Sequence, residues 1–219
     1  MIDGIILIDK PAAMTSFGVV ARVRRVLSEQ NGKKTKVGHC GTLDPFATGL
    51  LILCVGQECK NAGEYMKHDK VYEATIRLGQ VSSTGDPEGE ITEVSEAQPS
   101  REQVEQVLRQ FTGEIQQTPP MHSAIKINGQ RAYHLARKGE VVEMPTRTVT
   151  IHSLELVDYT YPELKIRTHV SSGTYIRSLA IDIGEALGTG AYCTQLRRTR
   201  IADWDIANAQ TLEQFGVTS

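Results

Sequence analysis

The stretch Gly38-His39-Cys40-Gly41-Thr42-Leu43-Asp44-Pro45-Phe46-Ala47-Thr48-Gly49 holds one acidic residue in a loop bracketed by glycines. The apolar run Leu50-Leu51-Ile52-Leu53-Cys54-Val55 follows it without a break and has the length and character of a buried strand. Pro45 biases Asp44 toward an extended backbone and fixes its own φ. Gly41 and Gly49 permit sharp chain reversals. Such a loop can hold one carboxylate in a fixed pose beside a bound substrate. Judged by local composition alone it is an ordinary Asx-type turn, with Asp44 bonded to its own backbone.

Working outward, residues 4–8 read as a second buried strand, and Thr15 or Ser16 caps a helix running to about residue 28. Val19, Val20, Val23 and Leu27 form its apolar face. Residues 71–78 alternate as a half-buried strand does, and 80–89 are a polar loop. Ser100-x-x-Gln103 is a capping-box signature for a helix to about residue 111. Thr118-Pro119-Pro120 breaks structure, 123–127 are extended, and 132–138 form a short helix closed by Gly139. Residues 148–157 and 164–170 pair as a hairpin. A helix over 178–187 and an extended segment over 191–199 complete the pattern. Strands and helices mix without a βαβ rhythm, which predicts an α+β fold with a mainly antiparallel or mixed sheet flanked by helices. Residues 1–219 read as one domain, with an inserted lobe over 80–145 as the one subdivision the pattern allows.

A chain of 219 residues with 40% hydrophobic content can bury a core. No apolar run approaches the roughly 18 residues of a membrane helix, and the start is too short and too early in acid for a signal peptide. A cytoplasmic protein is expected. Cys40, Cys54, Cys59 and Cys193 form no Cys-x-x-Cys pair and have no His at zinc spacing, so neither metal nor disulfide is expected. The net charge of -2 and pI near 6.3 argue, taken whole, against a nucleic-acid binder. The charge is unevenly placed, however. Arg22, Arg24, Arg25, Lys33, Lys34 and Lys36 precede the loop; Lys126, Arg131, Arg137 and Lys138 form a second basic group; Arg197, Arg198 and Arg200 form a third. Phosphate-loop, dinucleotide, nucleophile-elbow and zinc-protease motifs are absent. Adjacent His122 and Ser123 do not make a base and nucleophile, because neighbours in sequence rarely reach each other.

What remains is a small set of polar residues in unusual settings: Asp44, Tyr72 in Lys70-Val71-Tyr72-Glu73, and the turn Ser171-Ser172-Gly173-Thr174-Tyr175-Ile176-Arg177. Singly, each has an ordinary reading: a turn aspartate, core tyrosines, and an arginine in a surface ion pair. Together they resemble the tRNA pseudouridine synthase B family, collinearly and over nearly the whole chain. The resemblance rests on Asp9-Lys10-Pro11, Thr15-Ser16, the Gly38 to Gly49 string, Lys60, Lys70-x-Tyr72, and Leu78-Gly79-Gln80 with Thr84 and Asp86. It continues through Pro119-Pro120-Met121, Ser123-Ala124, Lys126, Ser172 to Arg177, and Leu196-Arg197-Arg198.

The resemblance implies the pseudouridine synthase fold and isomerisation of uridine to pseudouridine at position 55 of the tRNA T-loop. It implies Asp44 as the catalytic aspartate, Tyr72 stacked on the flipped base and assisting proton removal from C5, and Arg177 paired with Asp44. His39, Tyr175 and Leu196 would contact the target nucleotide or its neighbours, and Lys60 would support the site. Moving a base from N1 to C5 needs neither redox nor an added group, so no cofactor is expected. It needs a carboxylate that can attack or stabilise charge, a dry pocket that retains the detached base, and extrusion of the base from its loop. Basic segments over 24–36 and 197–200 would hold the RNA backbone. The expected partner is tRNA through its T-arm, with no membrane and no obligatory protein partner. Ala13, Glu58-Cys59 and His122 depart from the family pattern. Relatives in that family continue past Thr211-Leu212 into a small RNA-binding domain, which is expected to be absent here and to leave tRNA affinity weaker.

Overall fold

The computed structural model describes residues 3–123, 125–127, 129–137 and 143–217. Along the chain run β1 (Gly4–Lys10), α1 (Ser16–Asn31), β2 (Val37–His39), β3 (Thr48–Val55), α2 (Ala62–Met66) and β4 (Lys70–Leu78). Next come β5 (Gln80–Ser82), β6 (Ile91–Glu93), α3 (Arg101–Gln110), β7 (Gly113–Gln117), β8 (Lys126–Ile127), β9 (Gln130–Arg131) and α4 (Ala132–Arg137). The series ends with β10 (Arg147–Thr160), β11 (Glu163–Val170), α5 (Ile176–Ala186), β12 (Ala191–Ile201) and β13 (Trp204–Asp205). Two compact units divide the chain: Met1–Glu73 with Leu196–Ser219, and Ala74–Gln195. The boundary falls inside β4 and β12. Parallel pairing of β12 with β3 among antiparallel neighbours makes the sheet mixed, and the fold is α+β as the pattern predicts.

In the first unit β3 is the organising strand. β1 pairs with its whole length on one edge, from Gly4 opposite Val55 to Lys10 opposite Gly49. The other edge is shared by β2, antiparallel at Leu53 to Val55, and β12, parallel at Thr48 and Gly49. Side chains of a strand alternate between faces, so Leu51, Leu53 and Val55 pack with Val19, Val20, Val23 and Leu27 of α1. Leu50, Ile52 and Cys54 pack on the opposite face with Cys40 and Ile201. Both faces are covered, which is why the run is apolar throughout; each fully buried Leu or Ile there stabilises the fold by roughly 1.5–3 kcal/mol. α1 starts where Thr15 Oγ1 accepts the Gly18 N–H at 2.9 Å. It ends beyond the expected residue, because Gly32 takes a left-handed cap at φ 65°.

The second unit has β12, β4, β11, β10 and β7 in that order. β11 alternates cleanly, with Leu164, Ile166, Thr168 and Val170 inward and Glu163, Lys165 and Arg167 outward. The capping box at Ser100 and Gln103 forms as predicted, and α3 lays Val104, Val107 and Leu108 inward. The hairpin of β10 and β11 is longer than predicted, because the strands extend to a turn at Tyr161-Pro162. The polar loop expected over 80–89 begins instead with β5, which pairs with β6. Both strands, three residues each, are too short to carry an apolar signal. β7 was not expected at all, for the reason that Gln117 occupies an inward position. Of the expected extended stretch over 123–127, Ala124 lies outside the described residues, as do Lys138 and Gly139 at the end of the short helix. No helix among the described residues is long and apolar enough to cross a membrane.

Candidate active site

In the first unit the loop after His39 carries Asp44 half-exposed between two buried anchors, Leu43 and Ala47. The Asp44 carbonyl accepts the Ala47 N–H at 3.1 Å, a β-turn with proline at its favoured second position. The turn expected from local composition is therefore formed by main chain, which fixes where the Asp44 side chain departs.

Three buried side chains fasten that main chain. Ser16 Oγ accepts the Leu43 N–H at 2.8 Å and donates to the Leu43 carbonyl at 3.0 Å, as a neighbouring strand would. Lys10, fully buried, donates from Nζ to the carbonyls of Pro11 at 2.8 Å, Met14 at 2.6 Å and Pro45 at 3.2 Å. Arg198, 1% exposed, donates from Nε to Leu50 O at 2.8 Å and from Nη2 to Gly41 O at 3.2 Å. Leu43 and Pro45, the residues on either side of Asp44, are both held. Gly49 serves this arrangement rather than a chain reversal: at φ +105° a Cβ would sit 2.3 Å from the Arg198 carbonyl oxygen. Only glycine lets β12 approach so closely.

The remaining first-unit residues are Tyr72, buried on β4, Leu196, buried on β12, and Lys60 at the exposed end of a 3-10 turn. Among the described residues Lys60 forms no hydrogen bond or ion pair. Two residues before Tyr72, Lys70 Nζ donates to the carbonyls of Met66, at 2.8 Å, and His68. Burial, with a smaller contribution from the Arg198 charge, pushes Lys70 down to about 8. Burial likewise pushes the Cys40 thiol well above its ordinary range, leaving it protonated and a poor nucleophile. All four cysteines are free. The third basic group is corrected by the structure. Arg198 is inside, Arg197 is bound to Asp9 Oδ2 at 2.7 Å, and Arg200 is left as the exposed cation of the three. Strand alternation along β12 turns Arg198 inward.

Tyr175 and Arg177 lie in the second unit, where 171–175 form the turn from β11 into α5. Tyr175 caps the helix with its main chain held by Gln117, and the Arg147 guanidinium lies 4.9 Å from its ring centroid. Arg177 is 2% exposed, so it is no surface ion pair. Its Nη1 donates to Asp86 Oδ2 at 2.8 Å and Thr84 O at 2.9 Å, and its Nη2 to His122 O at 2.8 Å. Asp86 is itself fastened by Thr84 Oγ1 at 2.6 Å and the Glu88 N–H at 3.0 Å. Lys10 and Asp86 stand in the sequence motifs with no role of their own, Ser16 only as an alternative helix cap and Arg198 only as one of a basic group. Gln117 and Arg147 carried no signal.

A family model described as "TruB family pseudouridylate synthase (N terminal domain)" matches residues 24–176, and one described as "tRNA pseudouridylate synthase B C-terminal domain" matches 177–217. A tRNA pseudouridine synthase B of Dechloromonas aromatica is 46% identical over 214 residues, covering 98% of this chain and 70% of its own length. That of Phocaeicola vulgatus is 46% identical over 213 residues, covering 96% and 91%. A solved chain from a Cbf5-Nop10-Gar1 complex superposes with TM-score 0.73 at 30% identity, over 96% of this chain and 52% of that one. Another, from an H/ACA RNP bound to a substrate RNA containing 2′-deoxyuridine, gives 0.71 at 28%, over 96% and 51%. The chain thus spans about half of these solved chains. The motifs that resemble one family, the α+β architecture and these matches agree: this chain belongs to the TruB family of pseudouridylate synthases.

Proposed function

We propose that this protein isomerises uridine to pseudouridine at position 55 in the T-loop of tRNA, in the cytoplasm, with Asp44 as the catalytic carboxylate. The observation that carries the reading is the Asp44 turn, half-exposed yet fastened at Leu43 by Ser16 and at Pro45 by Lys10. Catalysis needs a reacting group held in place before substrate arrives, and both neighbours of Asp44 are held.

The reaction breaks C1′–N1 and forms C1′–C5; the C5 proton leaves and N1 gains one. Asp44 acts on the extruded nucleotide as nucleophile or charge stabiliser. Arg177 serves as its counter-ion and keeps it ionised. Tyr72 stacks on the flipped base, a contact worth roughly 1–3 kcal/mol, and assists removal of the C5 proton. His39, Tyr175 and Leu196 contact the target nucleotide or its neighbours, and Lys60 supports the site. The exposed cations over 22–36 and Arg200 hold phosphates, which makes binding salt-dependent. The solved relatives sit in assemblies with other proteins, but the named tRNA synthases stand nearer in sequence, at 46% against 30% identity. No obligatory protein partner is therefore proposed.

Tritium release from a 5-tritiated T-arm hairpin tests the reading. The protein alone should turn over, and Asp44→Ala should abolish release while RNA binding survives. No release by the wild-type protein from any unmodified tRNA would falsify it.

A further inference from the structure

β7 ends at Gln117 and β10 begins at Arg147, and the antiparallel register sets these two residues directly opposite each other. Opposed residues project from the same face, and here both reach Tyr175. Gln117 is 1% exposed; its Oε1 accepts the Tyr175 N–H at 2.7 Å and its Nε2 donates to the Tyr175 carbonyl at 3.0 Å. A side-chain amide thus closes both main-chain hydrogen bonds of one residue. Arg147 approaches the ring of the same residue. Its guanidinium carbon stands 4.9 Å from the ring centroid, within cation–π range, and its Nη2 donates to the Gly173 carbonyl. Gly173 takes φ +86°, which favours glycine, and lies against that guanidinium. Arg147 Nε is buried and has no hydrogen-bond partner among the described residues. A buried donor left unmet is costly and calls for a reason. The guanidinium meets the ring and the Gly173 carbonyl while its Nε goes without a partner among the described residues.

We propose that Gln117 and Arg147 are a cross-strand pair of positioning residues that present the Tyr175 ring to the RNA, Gln117 by fixing its main chain and Arg147 by stacking on its face. The proposal rests on the reading that Tyr175 contacts the target nucleotide or its neighbours. It also separates Arg147 from the cations that hold phosphate: its charge faces the ring and adds nothing to the salt dependence of binding.

The test uses the T-arm hairpin, with single-turnover rates at saturating RNA and dissociation constants over a salt series. Arg147→Ala should lower the rate about tenfold, leave the dissociation constant within about twofold, and leave the slope of log affinity against log salt unchanged. Arg147→Lys should not restore the rate, because an ammonium lacks the planar stacking surface. Tyr175→Leu should lower the rate as much, and Arg147→Ala added to it should cost less than about twofold more. Gln117→Glu, which keeps the acceptor for the Tyr175 N–H and loses the donor, should fall between wild type and Gln117→Ala. A salt slope shallower by about 0.7–0.9 in Arg147→Ala would make Arg147 a phosphate contact and overturn the proposal. Full additivity with Tyr175→Leu would also overturn it. A wild-type protein that releases no tritium sinks the functional reading itself; normal wild-type turnover with an unchanged Arg147→Ala rate sinks this proposal alone.

Discussion

In the first unit the loop that presents Asp44 rests on buried cations, Lys10 and Arg198, bonded to main-chain carbonyls. In the second, the turn that presents Arg177 rests on a buried carboxylate, Asp86. Each unit adds one neutral side chain that closes both main-chain bonds of a single residue: Ser16 on Leu43, and Gln117 on Tyr175. The neutral clasps are equivalent, while the charged anchors differ in sign. Carbonyl-bonded cations hold a loop while adding positive charge beneath an acid. A carboxylate anchor instead fixes the cation's geometry by binding the presented group itself.

That contrast can be broken by removing the anchors. Asp86→Asn should cost about 3–5 kcal/mol, because it removes the buried negative charge bonded to the Arg177 guanidinium. Arg198→Met should cost less, about 2–3 kcal/mol, since it strands carbonyls rather than a charge. Urea denaturation of both variants decides the order, and an equal or reversed cost would remove the distinction between the two kinds of anchor. Ser16→Ala should destabilise by about 2 kcal/mol and lower turnover with KM little changed, whereas Ser16→Thr should recover most of both. A Thr variant no better than Ala would argue against the hydroxyl clasp.

The units also differ in how pH acts on them. Lys70 in the first is pushed from its ordinary 10.5 down to about 8 by burial. Between those values the unfolded chain binds the proton and the folded one does not, so stability rises with pH across the window, by about 3 kcal/mol. Asp182 in the second is pushed from 3.8 up to about 6 by burial, and secondarily by the charge of Glu185. Its folded form holds the proton longer, so its contribution is full below about pH 4 and is lost as pH rises through 6. At its partial exposure that amounts to about 1 kcal/mol. Denaturation midpoints across pH should show the alkaline rise vanish in Lys70→Met and the acid-side fall vanish in Asp182→Asn. The smallest expected change is at Ala13, which takes φ 58° where the resembled family usually has glycine. Ala13→Gly should stabilise by up to about 1 kcal/mol, read as a higher urea midpoint.

The elements legible in sequence were those whose side chains announce their surroundings. The run from Leu50 to Val55 is apolar because both its faces are covered. Ser100 and Gln103 form the capping box they spell, and Thr15 caps α1. One kind of missed element is that in which a polar residue occupies an inward place. Gln117 hides β7 because its amide is satisfied by Tyr175 main chain, which no local pattern encodes. Arg198 reads as one of a basic group set to hold RNA, and nothing near Lys10 marks it as buried, because burial of a charge on carbonyls contributed by distant segments leaves no mark on its neighbours in sequence. β5 is half-buried and β6 exposed, and each is three residues long, so their pairing has no apolar period to reveal it. Sequence order made Asp44, Tyr72 and Arg177 a set through resemblance. The structure adds the side chains that hold the Asp44 turn and Arg177 in place.

The isomerisation is proposed to rest on the Asp44 carboxylate, carried on main chain held at Leu43 and Pro45. Mapping pseudouridine in unmodified tRNA after treatment with wild-type protein and with Asp44→Ala tests it most directly. Pseudouridine is expected at T-loop position 55 with the wild type and not with Asp44→Ala, at similar tRNA affinity for both. Pseudouridine formed at that position by a folded Asp44→Ala protein would contradict it.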